Sequence, residues 1–151
     1  MCYHTLCNNA NGGKTLMAEK KTVFLTGASG HMGWAGFKEL YKKKDKLNIV
    51  LLLRDSEKNR KKFANYLNDP SVKIVWGDLK KYDDVLKCVE GSDYVLHVGG
   101  MVSPSADYYP TKTIQTNTTA AKNIVDAVKA QPNKDDIKVV YIGTVAQTGD
   151  R

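Results

Sequence analysis

Val23-Phe24-Leu25-Thr26-Gly27-Ala28-Ser29-Gly30-His31-Met32-Gly33 is the stretch on which the reading of this chain turns. A short apolar run with β-branched and aromatic members enters a turn with glycines at every third position. An amphipathic stretch, Trp34 to Lys44, follows it. Strand, glycine turn and helix in that order set backbone N–H groups and a helix N-terminus where a pyrophosphate can sit. Gly27 permits the tight turn, Gly30 lets a phosphate approach the backbone, and Gly33 lets helix and strand pack closely. The competing reading is a glycine-rich turn with no ligand, and the rest of the chain has to decide between them.

Outward from this turn, strand-like and helix-like segments alternate. Strands are expected at 22–26, 48–53, 72–76, 94–98 and 138–142, each rich in Val, Ile, Leu or aromatic residues. Helices are expected at about 32–44, 56–68, 82–89 and 113–130. In the last, Ile114, Ala121, Ile124, Val125 and Val128 mark the rhythm of a half-buried helix. Strands apolar throughout and joined by helical crossovers imply a parallel sheet covered on both faces. The fold class is therefore α/β, a doubly wound Rossmann-type sheet of order 3-2-1-4-5, with its switch point beside strand 1.

The 151 residues are 42% hydrophobic, enough for one domain with its own core. Residues 1–20 are polar and without periodicity and read as a disordered leader, with Met17 a natural start. Residues 21–151 are expected to form a dinucleotide-binding domain. The chain stops just after the fifth strand, so the domain reads as truncated there, with one sheet edge uncovered.

A formal net charge of +7 raises the question of nucleic acid. The basic residues, however, gather as Lys42-Lys43-Lys44 at one helix end and as Lys58, Arg60, Lys61 and Lys62 on another helix. They read as solvated faces favoured by the helix dipole. No recognition-helix or RNA-stacking signature accompanies them, so no nucleic-acid partner is expected. Three cysteines without a C-x-x-C pair fit a reducing compartment. Cys2, His4 and Cys7 lack a fourth ligand, and no metal is expected. Ile49–Leu53, the longest aliphatic run, is strand length, and no apolar signal segment precedes the domain. A cytoplasmic protein without a membrane segment is the expectation.

Five landmarks, in order, give the chain a family likeness. Over about residues 21–151 it resembles the N-terminal half of an extended short-chain dehydrogenase/reductase, the NAD-dependent epimerase/dehydratase-like group. Thr26 to Gly33 matches that family's TGxxGxxG cofactor turn, which assigns Gly27, Ser29, Gly30, His31, Met32 and Gly33 to cofactor binding. At the end of the second strand, Leu53 fills the place where an NAD enzyme usually carries a carboxylate, and Arg54 follows it. A guanidinium fork suits a 2′-phosphate, so NADP is preferred over NAD. Asp55 keeps NAD open, or caps the helix beginning near Ser56.

Gly77-Asp78-Leu79 resembles the adenine-contacting turn after strand three. Asp78 and Leu79 are assigned to cofactor binding, with a helix cap as the alternative for Asp78. Leu96-His97-Val98-Gly99-Gly100 resembles the segment after strand four, with two glycines in place of two alanines. Val98, Gly99 and Gly100 then leave room for the cofactor, on a more flexible loop, and His97 reads as a packed structural histidine. Asn117 and Asn123 fall at the asparagines of the family's N-x-x-G-T-x-N helix, although Ala120-Ala121 replaces Gly-Thr. Asn117 joins the cofactor-binding set by tying that helix to the floor of the site.

Tyr141 to Asp150 aligns with the strand-five ending S-S-x-x-V-Y-G. Thr144 stands where the catalytic hydroxyl belongs, Gly143 replaces the first serine, and Thr148 replaces the tyrosine. The family's Tyr–Lys pair is missing after Thr144. The one Y-x-x-x-K string, Tyr108 to Lys112, precedes the threonine and contains Pro110, so it is rejected. The resemblance implies a parent that oxidises or reduces a secondary alcohol or ketone, a small-molecule substrate such as a nucleotide sugar, and often a homodimer. The chain itself is expected to be the cofactor-binding half, inactive alone. The alternative is a non-catalytic dinucleotide-binding regulator or sensor.

Overall fold

A computed structural model describes residues 19–143. Residues 1–18 of the expected leader, and Thr144 with the residues after it, lie outside the described residues. Five strands, β1 (Lys21–Thr26), β2 (Leu47–Leu53), β3 (Val72–Trp76), β4 (Tyr94–His97) and β5 (Lys138–Tyr141), form one sheet. Its order is β3-β2-β1-β4-β5 and each pairing is parallel. The architecture expected from the sequence is the one observed.

Between the strands run α1 (His31–Tyr41), α2 (Glu57–Phe63), α3 (Tyr82–Val89), α4 (Ser105–Tyr108) and α5 (Pro110–Lys129). The strands are apolar throughout because both faces are covered. Alternate residues of β2 enter different cores: Ile49, Leu51 and Leu53 pack with α1 and α2, whereas Val50 and Leu52 pack with α3 and α5. On the first face, Phe37 meets Trp34, Tyr41, Phe63 and Tyr66, with ring centroids between 4.8 and 5.8 Å apart. On the second, Cys88 is fully buried, and desolvation pushes its thiol up to about 12. It acts as a small apolar residue.

Three details depart from expectation. Alpha-helical geometry in α2 ends at Phe63, and a 3₁₀ turn, Ala64–Tyr66, completes the segment read as one helix to 68. The short α4 was not expected. In α5 the buried face is Ala120, Asn123, Ile124 and Ala127, while Ile114 and Val125 are exposed. Small residues let α5 lie close to α3 and the sheet, and a polar residue joins them because its hydrogen bonds are made inside. Pro110 opens α5 at its first position, so Tyr108 and Lys112 lie on different helices. That removes the Tyr–Lys string as a paired acid and base.

All four residues of β5 are exposed, and it forms an edge of the sheet among the described residues. Among the described residues no helix is long and apolar enough to cross a membrane.

Phe37→Ala removes the centre of the aromatic cluster and is expected to cost about 3–5 kcal/mol in urea unfolding. Val139→Thr, on the exposed edge strand, should stay within about 0.5 kcal/mol in the same assay.

Candidate functional site

The C-terminal ends of β1, β2, β3 and β4 carry the loops that the sequence singled out. In a parallel sheet with a switch point beside β1, these ends form the crevice. Thr26 is the last residue of β1, opposite His97, the last of β4. Its buried hydroxyl accepts the N–H groups of Val98 and Gly99 at 3.1 and 2.9 Å. With both lone pairs occupied, the hydroxyl donates its one hydrogen to His97 Nδ1, 2.8 Å away. His97 is therefore neutral with its proton on Nε2. Burial pushes the imidazole below its ordinary value, in keeping with that state. The structural reading of His97 is the one the geometry favours.

Gly27 follows at φ 73°, a left-handed conformation suited to glycine. A Cβ there would come within 2.7 Å of Gly99 N and Cα. A Cβ on Gly33 would overlap the Gly27 carbonyl, so helix α1 can start this close to β1 only with glycine at that position. The β4 loop is thus pinned at Gly99 and is tighter than two glycines in sequence suggest. Gly30 N donates to Gly27 O at 2.9 Å, closing the turn, and Trp34 N reaches Gly30 O at 3.0 Å. No side chain caps α1, and its first turn holds no acidic residue. The positive end of the helix, with exposed Gly30, His31 and Met32, is left for an anion.

Two asparagines of α5 hold the neighbouring loops. Asn117 Oδ1 accepts Met101 N at 2.8 Å, and its Nδ2 donates to Met101 O at 3.0 Å. Asn117 also lies beside Gly100, within 3.3 Å of where a Cβ would stand. Asn123 Nδ2 donates to the Leu79 carbonyl at 2.8 Å. Asn117 therefore acts on the site through the β4 loop, and Asn123, given no role from sequence, does the same for the β3 loop. In that second loop Asp78 accepts Lys80 N at 2.9 Å, while Asp84 accepts Asp78 N at 3.1 Å. Lys81, without a side-chain bond, occupies the cap position of α3. Asp78 does not cap the helix; its other oxygen lies 3.9 Å from Lys80 Nζ, at the mouth.

At the end of β2, Ser56 caps α2 by accepting Asn59 N at 3.2 Å. Asp55 is therefore not the cap. Its carboxylate takes Arg60 Nε at 2.6 Å and Nη2 at 2.8 Å, which holds it below its ordinary value. Arg54 is exposed and forms no ion pair among the described residues. The basic run of α2 is not all solvated face. Lys62 is half-buried and donates to Ser29 O at 3.0 Å, with Nζ 4.3 Å from the centre of the Trp34 ring. Burial, then Lys58 and Lys38, push it below its ordinary value. Its place beside the glycine turn comes from α2 packing against α1, which no local sequence signal carries.

The sequence-predicted residues thus gather at one rim: the glycine turn, Arg54, Asp78 and Leu79, Val98 to Gly100, and Asn117 behind them. A family model described as the NAD dependent epimerase/dehydratase family matches residues 23–151. The chain belongs to this family. UDP-glucose 4-epimerase of Rickettsia bellii (strain RML369-C) is 33% identical over 128 residues, 82% of this chain and 36% of that protein. The same enzyme of Rickettsia felis is 30% identical over the same shares. The chain thus spans about a third of the length of these curated relatives. Among solved structures, Pen from Bacillus thuringiensis aligns with a TM-score of 0.74 at 23% identity, covering 89% of this chain and 41% of that one. UDP-glucose 4-epimerase from Bifidobacterium longum, in complex with NAD+ and UDP, aligns at 0.67 and 17%, covering 85% and 38%. These likenesses are of fold.

Because the folded His97 imidazole is depressed, its contribution to stability is present above about pH 6.5 and is lost as pH falls through the folded value. His97→Gln should remove that component. The difference in urea midpoint between wild type and variant is expected to shrink between about pH 7.5 and about pH 5. An unchanged difference would mean that the ring titrates in the fold as it does in the unfolded chain, and a growing one that it is protonated in the native site.

Proposed function

We propose that this epimerase/dehydratase-family chain binds a nicotinamide dinucleotide, with NADP preferred over NAD. The observation that carries the binding is the α1 N-terminus, uncapped and free of acidic residues behind the turn that Gly27 and Gly33 make possible. Chain atoms fit the group: a side chain at Gly27 or Gly33 would fill the space that the close approach of backbone requires. The α1 amides and Gly30 would meet the pyrophosphate. Asp78 and Leu79 would border the adenine, and Val98, Gly99 and Gly100 the ribose and phosphates. The preference rests on Arg54, exposed and unpaired among the described residues, while Asp55 is occupied by Arg60.

When bound, the nicotinamide supplies or accepts hydride. We infer that the full-length protein uses it to oxidise or reduce a secondary alcohol or ketone of a small molecule. The curated relatives, UDP-glucose 4-epimerases by name, favour a nucleotide sugar as that substrate. The chain's own residues order the site: Thr26 and Asn117 hold the β4 loop, and Asn123 holds the β3 loop. Thr144, proposed from sequence as the hydroxyl that positions the substrate oxygen, completes the reading.

Titration with NADPH should shift the amide resonances of Gly27 to Gly33, and NADH should bind about tenfold more weakly. Arg54→Gln should weaken NADPH binding by about tenfold while leaving NADH within about twofold. Unmoved resonances with both dinucleotides would end the assignment.

A further inference from the structure

The carboxylate after Arg54 is the group that could spoil a site for a 2′-phosphate, and the structure disposes of it in a particular way. Both oxygens of Asp55 are taken by the Arg60 fork, at 2.6 and 2.8 Å. The guanidinium carbon of Arg60 lies 4.9 Å from the centre of the Trp76 ring. Trp76 ends β3, in register with Leu53 at the end of β2. A planar cation thus bridges the first residues after β2 and the last residue of β3. The chain between is also held, because Asn59 Nδ2 donates to the Arg54 carbonyl at 2.8 Å.

Without Arg60, Asp55 would be an exposed carboxylate one residue from Arg54. It would then be available to accept ribose hydroxyls, as the carboxylate of an NAD site does, and to repel a phosphate dianion. With Arg60 in place its charge is paired and each of its oxygens already accepts one hydrogen bond. We propose that Arg60 is a specificity-determining positioning residue: by holding Asp55 against the Trp76 side of the rim, it makes the site select a 2′-phosphorylated adenosine. This rests on the reading that the end of β2 receives the adenosine ribose. Arg60 need not touch the dinucleotide, and Trp76 flanks its guanidinium. Arg60 and Asp55 are both more than half exposed, and exposed pairs add little to folding, so substitutions here leave the fold intact.

The test uses the full chain, with NADPH and NADH dissociation constants measured by fluorescence titration for wild type, Arg60→Gln, Asp55→Asn and the double variant. Wild type should favour NADPH. Arg60→Gln should lower the NADPH-over-NADH preference by about tenfold, and Asp55→Asn combined with it should restore the preference to within about twofold. Asp55→Asn alone should leave it near wild type. If Arg60→Gln leaves the preference unchanged while wild type favours NADPH, the inference falls and the cofactor reading stands. If the double variant stays as impaired as Arg60→Gln, Arg60 meets the phosphate itself and the masking role is wrong. A wild-type chain that binds neither dinucleotide, or prefers NADH, defeats the cofactor reading directly.

Discussion

The Thr26 hydroxyl is the contact on which the site depends. Three hydrogen bonds converge on one oxygen at the buried junction of β1 and β4. Replacing it with an apolar isostere would orphan two backbone donors and an imidazole nitrogen. Each such group costs about 1–3 kcal/mol when left unsatisfied. The hydroxyl fixes how far the loop after β4 stands from the glycine turn, and that spacing forces Gly27 against Gly99. A residue chosen for its hydrogen-bond count thereby dictates the residues that flank it. The walls of the crevice are consequently main chain, which suits a ligand made largely of phosphate and ribose.

Helix α5 supports the same rim from behind. Its inward face mixes Ala120, Ile124 and Ala127 with Asn123, a polar residue that a purely apolar stripe would exclude. Asn123 is tolerated because its amide ends on the Leu79 carbonyl, and Asn117, six residues earlier, ends on Met101. Loops without secondary structure of their own are thus held by side chains projecting from a rigid, packed helix. Such preorganisation lowers the ordering cost of binding a flexible dinucleotide. It also couples packing to function: a change that tilts α5 moves both loops together.

Charge follows the same logic of occupied and unoccupied partners. Several lysines are in ion pairs at the surface, among them Lys42 with Glu39 and Lys61 with Glu57, where such pairs add little. Arg60 and Lys62 are different because each reaches an acceptor on another segment, Asp55 and the Ser29 carbonyl. Both stack on tryptophans, Trp76 and Trp34, that belong to other elements. On α2, Arg60 and Lys62 reach toward the rim, while Lys58 and Lys61 face solvent as the sequence suggested.

Residue pattern by itself determined the α/β class, the sheet order and the location of the glycine turn. Parallel strands buried on both faces must be apolar throughout, and a helix can start against a strand only where glycine removes the Cβ. Those demands leave marks in the one-dimensional string at Val23–Gly33 and Ile49–Leu53. Tertiary structure alone decided the partners: that Ser56 and not Asp55 caps α2, that Asp78 bonds Lys80, that α5 buries Ala120 and Asn123 rather than Ile114 and Val125. It also decided that Lys62 meets the turn 33 residues before it. A side chain with a polar end has several acceptors within reach along its own segment. Which one it takes depends on packing between elements distant in sequence, and no local periodicity encodes that choice.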